Sequence, residues 1–127
     1  MSNLFIGLGA LNAFISVSFG AFAAHKLKET LATDLLAVIH TAADYQLYHA
    51  LGLVLVGLLI QRSDTKCNKR AGWFMLVGII LFCGSLYTLG LTGIKWLGMI
   101  TPVGGICFLT AWLILTFAHL WPQDESH

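Results

Sequence analysis

Apolar positions in this chain do not alternate with polar ones; they run together. Four stretches, at about residues 4–24, 34–61, 71–91 and 98–121, are almost free of charge, and short polar segments separate them. A hydrocarbon core of about 30 Å is crossed by roughly 20 residues at about 1.5 Å of rise each. In lipid the backbone must satisfy its own polar groups, so each run reads as a helix. The pattern predicts an all-α integral membrane four-helix bundle, one domain over residues 1–127, without linker or repeat.

The ends of the runs are less sharply written. The first closes on Ala21, Phe22 and Ala23, small-residue spacing like that of a signal-peptidase site. The chain opens on "MSN", without a positive segment, and the run has full spanning length, so it reads as a retained helix. Thr33 is placed to cap the second helix, which can continue unbroken to Gln61. At about 43 Å that helix outreaches the bilayer, so it is either one long helix or an interfacial helix bent into the second span. The third is expected from Ala71 to Leu91, closed by the turn "TGIK". Trp96 and Trp121 bracket the fourth at the two interfaces. Pro102 leaves two arrangements open: Thr101 caps a helix that begins at the proline, or a helix from Trp96 kinks there. The tail "PQDESH" reads as solvated.

Composition agrees: 57% of residues are hydrophobic and 10% charged, where a soluble domain carries about 25% charged. The segment "RSDTKCNKR" holds Arg62, Lys66, Lys69 and Arg70 against Asp64, while Lys26, Lys28 and Lys95 fall on the other side. Four cations against three, by the positive-inside rule, put both termini in the cytoplasm. Cys67, Cys83 and Cys107 make no zinc, thioredoxin or haem-attachment spacing, and Cys83 and Cys107 read as small buried hydrophobes. A net charge of +1 offers nucleic acid no footprint. No glycine loop for nucleotide phosphates is present, since "TPVGG" does not have that pattern.

The polar residues that enter the second span carry the candidate chemistry. At 100° per residue, His40, Asp44 and Tyr48 share a face, Tyr45 and His49 flank it, and Gln46 lies roughly opposite. His40 and Asp44 belong near the interface, and His49 roughly 8–12 Å inside. Ser16, Ser18, Ser85, Thr88 and Thr101 reach similar depth from the other helices. Ionisable groups at membrane depth point into the bundle or toward water. A polar pocket is therefore expected in the outer half, centred on His49 with Tyr45 and Ser85 as neighbours. The plainer reading is interhelical hydrogen bonding, worth about 0.6 kcal/mol per contact. Asn12 is the residue most in need of a partner. Together with Ser16, Gly20 and Ala24 it forms a four-residue stripe suited to close helix approach, and Gly104 and Gly105 read first as backbone packing.

Two sharper chemistries compete with that reading. An interfacial haem needs two imidazoles at one level, which only His25 with His40 or His49 could supply. A small proton-coupled exporter needs a deep carboxylate; the first, third and fourth spans have none, and Asp44 lies near the surface.

The stretches "GAFAAHKLK", "YQLYHALGLVLVGLL" and "GSLYTLGLTGIKWLGMITPVGG", together and in this order, resemble the domain-of-unknown-function 423 family of small bacterial inner-membrane proteins, related to eukaryotic transmembrane protein 256. The resemblance implies four helices in the bacterial cytoplasmic membrane and brings no activity. It maps onto His25, Tyr45, Gln46, Tyr48, His49, Gly84, Ser85, Tyr87, Thr101, Pro102, Gly104 and Gly105, with Ala23 and Ala24 where the pattern has a glycine.

The expected function is that of a non-enzymatic accessory or lipid- or partner-binding component in the inner membrane. The alternative is a redox or lipid-handling protein that takes a quinone, haem or lipid headgroup at the outer-side pocket. The candidate ligand-binding residues are His49, Tyr45, Tyr48, Ser85, Thr101, His25 and Asp44. No catalytic or metal-ligating residue stands out, and the cofactor is undetermined. Expected partners are the lipid bilayer and a homo-oligomer or larger membrane complex, without nucleic acid.

Overall fold

The computed structural model describes residues 1–121, which leaves the tail "PQDESH" outside the described residues. Every regular element among these is helical. Four helices are long and apolar enough to cross a bilayer: α1 (Ser2–Thr30), α2 (Thr33–Arg62), α3 (Lys66–Thr92) and α4 (Thr101–Leu120), the last preceded by a 3-10 segment, Lys95–Met99.

The helices run past the apolar borders because a helix carries its own hydrogen bonds into water as easily as through lipid. The charged stretch after Ala24 continues α1 through a π segment, Ala23–Leu27, and a last turn, Lys28–Thr30. α2 is one unbroken helix of 30 residues, about 45 Å long. Thr33 is not its cap. Leu31 and Ala32 are already extended, so the cap position falls on Ala32, Thr33 is the first helical residue, and no side chain caps that end. α3 starts at Lys66, a turn before Ala71, because Thr65 caps it: its hydroxyl accepts the Asn68 N–H at 3.2 Å. Most of "RSDTKCNKR" is thus helical, and Lys69 pairs with Asp64 at 2.8 Å. Gly93, at φ 75°, ends α3 in the left-handed conformation and returns its N–H to Leu89. Pro102 sits in the first turn of α4, where its missing N–H costs no hydrogen bond, so the helix starts there without a kink.

α2 and α3 form the centre of the bundle, with α1 and α4 on opposite flanks. Half of the apolar span of α2 is buried, against 22% for α1 and for α4. The core runs through Phe5, Leu53, Val56, Met75, Ile79, Cys83 and Phe108. A smaller cluster of Ala23, Leu27 and Ile39 closes the end where α1 turns into α2. Phe14, Ile80, Ile106, Leu109 and Leu120 stand outward, a continuous apolar exterior that lipid solvates and water would not.

Close approaches fix the flanks. A Cβ on Gly9 would meet the Ala50 carbonyl oxygen at 2.6 Å, so only glycine lets α1 lie this near α2. Gly20 has open space around it and Ala24 is exposed, so the small-residue stripe ends at Ser16. The π segment then turns Ala23 and Leu27, rather than Ala24, into the core. Gly104 lies directly on the backbone of Phe82, which joins α4 to α3.

Candidate functional site

The deep polar groups resolve into three ties between helices. Asn12 does find a partner: Gln46 Nε2 donates to its Oδ1 at 2.9 Å, and its own amide donates to the Leu8 carbonyl at 2.8 Å. The Tyr87 hydroxyl then donates to Gln46 Oε1 at 2.7 Å, and its ring stacks on Phe19 at 4.2 Å. One buried amide therefore holds α1, α2 and α3 together. Ser16 adds a 2.6 Å bond to the Ala43 carbonyl across the same seam. Between α3 and α4, the hydroxyls of Ser85 and Thr101 are 2.7 Å apart, and Ser85 also donates to the Phe82 carbonyl.

His49 makes the third tie. The Trp112 indole Nε1–H points at its Nε2 at 3.0 Å, and its Nδ1 lies 2.8 Å from the Tyr45 carbonyl. An indole nitrogen can only donate, so Nε2 accepts and the proton sits on Nδ1, where it bonds the carbonyl one turn back. The ring also lies parallel to Phe108, with centroids 3.5 Å apart. This imidazole is neutral, buried, and engaged at both nitrogens.

Beside it a groove of about 410 Å³ opens between α2 and α4, lined by Tyr45, His49, Phe82, Ile106, Leu109 and Trp112 with Pro102, Gly105 and Phe108. Its volume is within the ~300–1,000 Å³ typical of small-molecule sites. Its outer walls face lipid, since Ile106 and Leu109 are 63% and 66% exposed. The π segment Ile79–Cys83 carries Phe82 to its floor, and such segments recur at functional sites. Tyr45 supplies the only hydroxyl among the lining residues.

Of the expected site residues, His49 and Tyr45 meet in this groove. Tyr48 is exposed on the outer surface and touches Tyr45 edge-on at 5.7 Å. Ser85 and Thr101 bond each other and do not line the groove, while His25 and Asp44 are exposed. Both His49 nitrogens are taken up by the Tyr45 carbonyl and the Trp112 indole, which leaves neither to share a haem with His25. Among the described residues no group of three His, Cys, Asp or Glu side chains gathers to hold a metal. Trp112, Phe108 and Phe82 were not among the expected site residues. The first two stand four apart on α4, a helical pair readable as a face but indistinguishable in composition from the lipid-facing residues beside them.

The chain is similar to known proteins. The family described as "Protein of unknown function (DUF423)" matches residues 19–105, more than half of the chain. A UPF0382 membrane protein of Staphylococcus epidermidis is 45% identical over 117 residues, covering 92% of this chain and 95% of that one. The UPF0382 membrane protein YwdK of Bacillus subtilis is 46% identical over 116 residues, 91% of this chain and 94% of its own. A UPF0382 membrane protein of Staphylococcus aureus is 47% identical over 115 residues, 91% and 93% of the two chains. No solved structure matches.

Proposed function

We propose a function from one premise: the chain belongs to the DUF423 family of proteins of unknown function, and its relatives are bacterial membrane proteins. It acts as a non-enzymatic binding component of the cytoplasmic membrane and seats the apolar chain or ring of a bilayer amphiphile in the groove between α2 and α4. The basic turn at Arg62–Arg70 lies in the cytoplasm by the positive-inside rule, with both termini on the same side. The groove then occupies the outward half, running from Pro102 to Trp112.

The observation that carries this reading is the pairing of an open, aromatic-walled groove with an imidazole already satisfied at both nitrogens. An imidazole engaged at both nitrogens has none to give a haem iron or a lipid headgroup, so the part of a ligand that fits here is apolar. Tyr45 remains to contact its polar end at the rim.

Gly105 provides the test. A Cβ there would meet only the Phe82 ring, at 3.9 Å, so Gly105→Leu fills the groove without pushing the helices apart. Native mass spectrometry of gently extracted wild-type protein is expected to find an amphiphile travelling with the chain that the Gly105→Leu chain lacks. Equal retention by both would refute the groove as the site.

A further inference from the structure

A second groove, of about 320 Å³, lies on the opposite side of α4 at the other end of the bundle. It is lined by Cys67 of α3 and by Thr110, Leu113, Ile114, Phe117 and Ala118 of α4. Its walls are apolar, and Cys67 puts one end of it at the basic turn. On α3, Arg70 stands about 60° round the helix from Cys67 and Lys66 about 100° round on the same flank, at 100° per residue. Both are exposed. Lys69 is on the far flank, paired with Asp64, and this is the one ion pair among the described residues. An acyl-sized slot thus ends beside two cations that the turn's own acid does not neutralise.

We propose that this groove holds one chain of an anionic diacyl phospholipid of the cytoplasmic leaflet, with its phosphate against Lys66 and Arg70. The charge complementarity selects the occupant. Anionic headgroups are drawn to cations at this level, each Lys or Arg being worth about a fivefold preference, while a zwitterionic lipid would fill the slot without that gain. The site is separate from the groove beside His49, and the two stand or fall independently.

The test uses the full chain in nanodiscs of phosphatidylcholine containing a minor share of phosphatidylglycerol, released into detergent, with retained lipids counted by native mass spectrometry. The expected result is one phosphatidylglycerol held in preference to phosphatidylcholine. Lys66→Gln and Arg70→Gln each lower that preference about fivefold, and Ala118→Phe, which fills the slot, abolishes it. Lys69→Gln and Gly105→Leu leave it in place. An equal loss from Lys69→Gln and Arg70→Gln would reduce the effect to diffuse charge and overturn the site. A preference that emerges only after residues 122–127 are removed would overturn it too, by making Asp124 and Glu125 the resident partners of the basic flank.

Discussion

Gly104→Val is expected to destabilise the bundle by about 3 kcal/mol, the upper end of the cost of overpacking, whereas Gly105→Ala next to it costs nothing and stabilises by up to about 1 kcal/mol. The two glycines adjoin in sequence and differ in what faces them. A side chain on Gly104 would run into the backbone N and Cα of Phe82, which cannot swing aside as the end of a flexible side chain can. α4 would have to move away from α3. That movement would also stretch the 2.7 Å contact between Ser85 and Thr101 one turn away and lift Phe108 from His49. Thermal unfolding followed by fluorescence-detected size-exclusion chromatography reads the difference. Equal midpoints for the two variants would show that the α3–α4 seam yields more readily than its geometry implies.

His49→Ala has the second largest expected effect, a loss of about 2–3 kcal/mol that comes mainly from packing. The hydrogen bond from Trp112 is worth about 0.6 kcal/mol on average for a membrane interior, and about 1.7 at most. The ring stacked on Phe108 at 3.5 Å leaves a cavity when deleted, and core truncations of that kind cost about 2–5 kcal/mol. His49→Phe separates the two contributions: it keeps the stack, loses the acceptor, and should cost about 1 kcal/mol. Chemical unfolding of the three proteins in one detergent checks the order wild type, Phe, Ala. If Phe is as damaging as Ala, the Trp112 bond rather than the stack is what holds α2 to α4.

The four spans were legible because lipid imposes one requirement everywhere, about 20 apolar residues per crossing. Their ends were less so, for water is indifferent to whether a charged segment is helix or turn. Thr65 rather than Ala71 starts α3 through a hydroxyl cap, a local signal that was present in the sequence. Thr33 carried the same signal and does not cap, since the extended residues before it set the boundary. The site was half legible. Depth singled out His49, and its pairing with Tyr45 followed from helical spacing. On α2, however, periodicity gives faces without telling inside from outside when both surroundings are apolar. The face of His40, Asp44 and Tyr48 proved to be exposed, and Gln46, roughly opposite it, is the residue that ties three helices together. The α4 side of the groove had no polar mark at all.

The most direct test of the groove reading is a photoreactive side chain placed in turn at Leu109 and at Val103, both exposed on α4, the first lining the groove and the second outside it. After irradiation in native membranes, mass spectrometry identifies the lipid joined to each position. One amphiphile is expected at Leu109, far above its share of the membrane, and a mixture matching the bulk bilayer at Val103. The same bulk mixture at both positions would contradict that reading.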